Sequence, residues 1–250
     1  MVYNTAVNRV ILKRIMKIVG LIIVVLLVIE GVRLVQLRRS IGEYKSYWDN
    51  RAAEPAADNA LTYIVLGDSV AQGIGATQPE KGYVGLLATA IAEKTGQPVQ
   101  VINLSVSGAR LQDVIDKQLP QLSELPIDDK TIITLDIGAN DMKNYDEAAF
   151  ARQFEMILKN LPPQTIVADV PYFGPDFHRH GGAQARQANQ IVEPLLARYN
   201  FQRAPAYKFT RQRNGILYYA ADFFHPSNRG HQSWFMAFWP LVEQQLERQS

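Results

Sequence analysis

Hydrophobic and polar positions divide the chain into three regimes. The first is an unbroken apolar run from Ile18 to Ile29, set in a broader stretch from Ile15 to Val35. The second, from Ser40 to Asn59, is polar and mixed, and ends in Ala52-Ala53-Glu54-Pro55-Ala56-Ala57. Its small residues, proline and charge suit a linker. From residue 60 onward, short apolar runs alternate with longer stretches of helical spacing. The runs Tyr63–Leu66, Val99–Leu104, Thr131–Ile137 and Thr165–Val170 predict strands, with a weaker candidate at Phe201–Ala204. Helical periodicity covers Tyr83–Lys94, Leu111–Leu119, Asp146–Asn160 and Gln184–Tyr199, and a last helix follows Pro226 to about Glu247. Buried strands alternating with helices imply right-handed crossovers and a parallel sheet covered on both faces. The expected organisation is a basic segment and membrane anchor at 1–39, a linker at 40–59 and one α/β domain at 60–250.

The first regime has the length to cross a bilayer. Ile15 to Val35 is 21 residues, or about 31 Å of helix, with Lys17, Glu30 and Arg33 near its ends. No small-x-small cleavage pattern follows it, so a retained anchor is expected rather than a signal peptide. Arg9, Lys13, Arg14 and Lys17 precede the run, and Arg33, Arg38 and Arg39 follow it. The stronger cluster in front favours the N-terminus inside and the folded domain outside the cytoplasm. A fragment beginning near Ala53 is expected to fold without the anchor.

Charge and cysteine content narrow the function. The formal charge is +2, but residues 1–51 hold nine of the 26 Lys and Arg against three of the 24 Asp and Glu. The folded part is therefore mildly acidic, and no nucleic-acid partner is expected. Absence of cysteine excludes thiolate metal ligands and cysteine nucleophiles.

Chemistry-bearing residues fall just beyond the predicted strands, where ligands sit in open parallel sheets. Gly67-Asp68-Ser69 follows the first strand, and Ser105-Val106-Ser107-Gly108 the second. Gly138-Ala139-Asn140-Asp141 follows the third, and Asp222-Phe223-Phe224-His225-Pro226 precedes the last helix. A serine hydroxyl becomes a nucleophile when a base takes its proton and a carboxylate orients that base. Ser69, His225 and Asp222 can fill those roles. Each segment alone also reads as a turn or cap, and Asp141 suits a cap for the helix that follows it.

Taken together and in this order, the four segments resemble those of the SGNH/GDSL hydrolase superfamily over roughly residues 60 to 248. The resemblance implies a flavodoxin-like three-layer α/β/α fold with a central parallel sheet of about five strands. It implies catalysis by Ser69, His225 and Asp222. It also implies an oxyanion hole from the Ser69 and Gly108 backbone N–H groups and the Asn140 side-chain amide. Glycine at 108 is expected to allow close backbone approach. The expected activity is hydrolysis of carboxylic esters, without metal or organic cofactor, on lipid or acyl esters at the membrane or cell envelope. The alternatives are a carbohydrate or peptidoglycan O-acetylesterase and, from another class, a catalytically silent membrane-tethered binding protein.

The remaining candidates carry less. His178 and His180, beside Asp176, match no specific metal-ligand spacing and are expected in a solvated or lid-like loop. His231 is expected to be structural. Pro171, Tyr172, Phe173, Phe223 and Phe224 fit either an acyl pocket or ordinary packing.

Overall fold

The computed structural model describes residues 2–172 and 181–249. The chain forms two compact units, Met1–Arg39 and Ser40–Ser250. The helix α1, Val2–Ala53, runs through the first and into the second. In the first unit most of its aliphatic side chains between Leu12 and Val35 are exposed, and the helix is long and apolar enough to cross a membrane.

The second unit is a doubly wound α/β sandwich. Five strands, β1 (Leu61–Gly67), β2 (Val99–Asn103), β3 (Ile132–Asp136), β4 (Ile166–Ala168) and β5 (Gln202–Ala204), form a wholly parallel sheet in the order β2-β1-β3-β4-β5. Successive side chains of a strand point to opposite faces. Accordingly, Tyr63 and Val65 of β1 join one core and Ile64 and Leu66 the other. The first core is covered by α3 (Tyr83–Thr95) and the final helix, Asn228–Gln249. The second is covered by a broken helix over residues 111–123, by Glu147–Asn160 and by Gly181–Arg198. Between β1 and β3 the chain reverses its direction of winding, which opens a crevice at the carboxyl ends of both strands.

Two elements depart from expectation. The stretch expected as a linker is helical as far as Ala53, and Tyr44 and Trp48 are buried within the unit that begins at Ser40. The inward face is made by Ser40, Tyr44 and Trp48, with Tyr47 partly buried beside them, too few apolar positions to show helical periodicity among the charged residues around them. Burying one large apolar side chain is worth roughly 1.5–3 kcal/mol, enough to hold a turn of helix in place. The helix expected over Leu111–Leu119 is interrupted by a π turn at Val114–Gln118, where the Leu119 N–H bonds to the Val114 carbonyl. Pro120 has no N–H to give at the next position, which removes a competing α-helical bond.

Candidate active site

Ser69 is presented by a very short turn. β1 ends at Gly67, and Ser69 opens α2 (Ser69–Gln72), a single helical turn. Asp68 caps that turn, its Oδ1 accepting from Val70 N at 2.9 Å. Asp68 Oδ2 accepts from Asn140 Nδ2 at 3.1 Å, and the same nitrogen donates to Ala109 O at 3.0 Å. Both partners are acceptors, which fixes the orientation of the Asn140 amide with its nitrogen toward them. Asn140 begins a 3₁₀ turn, Asn140–Asn144, beyond β3.

The Asp222–His225 segment meets Ser69 from the opposite side of the sequence. His225 Nε2 lies 2.9 Å from Ser69 Oγ, and His225 Nδ1 lies 2.5 Å from Asp222 Oδ2. Asp222 Oδ1 accepts from the backbone N–H of both Phe224 and His225 at 3.0 Å, so the carboxylate is held by its own turn. Burial opposes ionisation of Asp222, but the bonds from His225 and the two backbone donors outweigh it and hold the carboxyl below its usual range. The Nδ1 proton therefore points at Asp222, leaving Nε2 as the acceptor facing the serine hydroxyl.

Gly108 lies at φ +81°, and the space a Cβ would occupy is open. This left-handed conformation favours glycine at the position. Among the described residues, neither the Ser69 nor the Gly108 backbone N–H has a protein acceptor. Asp141 also departs from expectation. Its carboxyl reaches Leu111 N at 3.3 Å, capping the helix after the glycine loop instead of its own.

The carboxyls under the site are strongly perturbed. Burial pushes Asp68 up to about 6, against the opposing effects of the Val70 bond and His225. Burial raises Asp141 to about 6 as well, and drives Asp136 well above the carboxylate range with help from the charge of Asp68. His231 is buried, and its neutral form fits its neighbours. Nδ1 accepts from Tyr83 N at 3.3 Å and Nε2 faces Ile74 O at 3.1 Å. Burial lowers its pKa to about 4, consistent with the structural role expected.

Two buried glutamines were not singled out by sequence. Gln118, turned inward at the π turn, clasps Gly67, with Oε1 accepting from its N–H at 2.9 Å and Nε2 donating to its carbonyl at 2.8 Å. Gln72 Nε2 donates to Ser105 O at 2.9 Å, and Gln72 Oε1 accepts from Ser107 Oγ at 2.5 Å. The first sets the residue before the Asp68–Ser69 turn, and the second ties that turn to the Gly108 loop. A lone Gln in a helical stretch carries no signal of either role. Gly75 was also missed, although Gly73-Ile74-Gly75 is an unusual glycine spacing directly after a helix.

Of the aromatics, Tyr172 is half-buried and stacks edge-on against Tyr207 at 5.8 Å. Phe223 adopts a positive φ of 54° and Phe224 lies edge-on to His225 at 5.0 Å. Phe173, Asp176, His178 and His180 lie outside the described residues.

The family model described as GDSL-like lipase/acylhydrolase matches residues 65–233. The uncharacterized protein YpmR of Bacillus subtilis (strain 168) is 32% identical over 94 residues, 37% of this chain and 36% of YpmR. The chain thus spans about a third of the length of that curated relative. Among solved structures, a member of the lipolytic G-D-S-L family from Veillonella parvula DSM 2008 superposes with a TM-score of 0.62 at 18% identity. That match covers 74% of this chain and all of the other, 100%. An acetylxylan esterase from Geobacillus stearothermophilus superposes with a TM-score of 0.57 at 16% identity, over 74% of this chain and 94% of its own. At such identities these two likenesses establish the fold.

Proposed function

The chain belongs to the GDSL-like lipase/acylhydrolase family, and from that footing we propose that it is a serine esterase using Ser69, His225 and Asp222. The observation that carries the proposal is the unbroken relay from Asp222 Oδ2 through His225 to Ser69 Oγ, with steps of 2.5 and 2.9 Å. Ser69 attacks the ester carbonyl while His225 Nε2 takes its proton, and Asp222 holds the imidazolium that forms. The tetrahedral oxyanion is met by the Ser69 and Gly108 N–H groups, which lack other acceptors among the described residues. Asn140 adds a third donor when one of its two amide bonds gives way to the oxyanion. Collapse expels the alcohol, protonated by His225, and water then hydrolyses the acyl-enzyme by the reverse sequence of proton transfers.

The substrate reading follows from the first unit. An apolar helix long enough to span a bilayer supports a retained anchor at 1–39, and the basic cluster before it supports a catalytic unit outside the cytoplasm. Lipid or acyl esters of the membrane or envelope are then the substrates within reach. The hydrolase domain from residue 60 onward is accompanied by the helical turn segment that carries Tyr44 and Trp48. Hydrolysis of p-nitrophenyl esters, lysophospholipids and acetylated glycans, compared between wild type and Ser69→Ala, tests the reading. Activity that survives in the folded variant rejects it.

A further inference from the structure

We propose that Tyr44 and Trp48 are positioning residues for the serine nucleophile. They lie ahead of the family-matched residues 65–233, on the last turns of α1. The inference rests on the serine-esterase reading and extends it to a part of the chain with no catalytic group of its own.

The nucleophile stands on a helix of four residues, Ser69–Gln72, followed by the turn Gly73–Ala76. A single helical turn does not hold itself, because nucleation fixes many dihedrals for one hydrogen bond. Its terminal carbonyls also lack intrahelical partners. Here the Ser69 and Val70 carbonyls are taken by the backbone N–H groups of Gly73 and Ile74, and the later carbonyls by side chains from separate elements. Asn103 Nδ2 donates to Ala71 O at 2.9 Å and His231 Nε2 to Ile74 O at 3.1 Å. Between them, Trp48 Nε1 donates to Gln72 O at 2.9 Å, and beyond them Tyr44 OH donates to Ala76 O at 2.8 Å.

Tyr44 and Trp48 are one helical turn apart, so both reach the same backbone stretch from one face of α1. Trp48 is 2% exposed and Tyr44 7%, which excludes water as a substitute donor. Burial, with the nearby negative charges of Glu43 and Glu80, pushes the Tyr44 phenol up to about 12, so it keeps its proton and donates. The bond to Gln72 O has a second consequence. The side chain of the same residue holds Ser105 O and Ser107 Oγ, on the loop that ends in Gly108. Trp48 thus fixes a residue that couples the nucleophile to the loop of an oxyanion donor, beside Asn103, which bonds both Ala71 O and Ser105. Displacing a reacting group by about 1 Å costs on the order of 10²-fold in rate, so loss of this bracket is felt in turnover.

The test uses the full chain in detergent, with Trp48→Phe, Tyr44→Phe and the double variant, each below its melting temperature. The readouts are kcat and KM for p-nitrophenyl acetate, with active-site titre from fluorophosphonate stoichiometry. We expect kcat per titrated site to fall about tenfold in Trp48→Phe and further in the double variant, with KM within about twofold of wild type. Tyr47→Phe, on the same helix but bonded to Arg51, serves as the control and keeps wild-type kcat. If Trp48→Phe does not fold, 3-benzothienylalanine at position 48 keeps the shape without the N–H. Wild-type kcat per titrated site in the folded double variant, even with a lowered melting temperature, overturns the proposal. A wild type that hydrolyses no ester rejects the esterase reading and this inference with it.

Discussion

Gly75 and His225 are packed so closely that no side chain fits between them. A Cβ built on Gly75 would stand 2.9 Å from the Cβ of His225 and 2.3 Å from Pro226 O, and the residue holds φ +93°. The turn after Ser69 therefore abuts the turn that carries His225, and a bare glycine sets their separation. Gly75→Ala meets rigid backbone as well as left-handed strain. It is expected to lower kcat by about 10–10²-fold while the sheet stays folded, because it pushes His225 away from Ser69. Steady-state kinetics beside a circular-dichroism melt check this. Unchanged kcat in Gly75→Ala would show that the contact does not set the catalytic distance.

Asn140 offers a second test. Replacing it by Ala is expected to reduce kcat by about 10²–10³-fold, the usual loss for one oxyanion donor, with KM little changed. Asp68→Asn places an amide donor opposite the Asn140 amide in place of the Oδ2 acceptor. It should lower kcat too, and the double variant should be little worse than the poorer single one, since the two act as one unit. A sharp rise in KM at constant kcat would make Asn140 a substrate-binding residue instead.

His231 gives a pH-dependent signature away from the chemistry. Its pKa of about 4 in the folded state lies below the ordinary value of 6.5. The unfolded chain therefore binds the extra proton first, and stability contributed by the neutral imidazole is lost as pH falls from about 6.5 toward 4. Asp68 and Asp141, raised to about 6, act with opposite sign, favouring the fold while protonated and losing that contribution as pH rises from about 4 to 6. Imidazole ¹⁵N resonances isolate the histidine. His231 is expected to remain the Nε2–H tautomer until close to pH 4, whereas a titration midpoint near 6.5 would contradict its burial.

How far the sequence carries depends on whether each role leaves a pattern. β1 was legible because its residues are apolar on both faces, as a central parallel strand requires. The Ser69 and His225 segments stood out because the chemistry proposed for them needs particular residue types, and the structure brings the two side chains together. Trp48 was not, since a few aromatics interspersed with charged and polar residues look like a linker until the contact at Gln72 is seen. Gln118 is hidden for a related reason, since only the π turn rotates it inward onto Gly67. These are single contacts across the fold, which leave no periodicity in the chain.

The same contacts revise where a soluble fragment should begin. A fragment starting at Ser40 keeps Tyr44 and Trp48, whereas one starting at Ala53 removes both donors to the Gln72 and Ala76 carbonyls. The longer fragment is expected to be the more stable and the more active, with the larger difference in kcat. Equal melting temperature and kcat for the two would return residues 40–53 to the status of a linker.

The most direct measurement is the mapping of a fluorophosphonate adduct by peptide mass spectrometry on the full chain. One phosphonyl group per molecule is expected, carried by the peptide containing Ser69 and absent from the Ser69→Ala and His225→Ala variants. An adduct on any other residue, or ester hydrolysis that proceeds with Ser69 unlabelled, would contradict the assignment of Ser69 as the nucleophile.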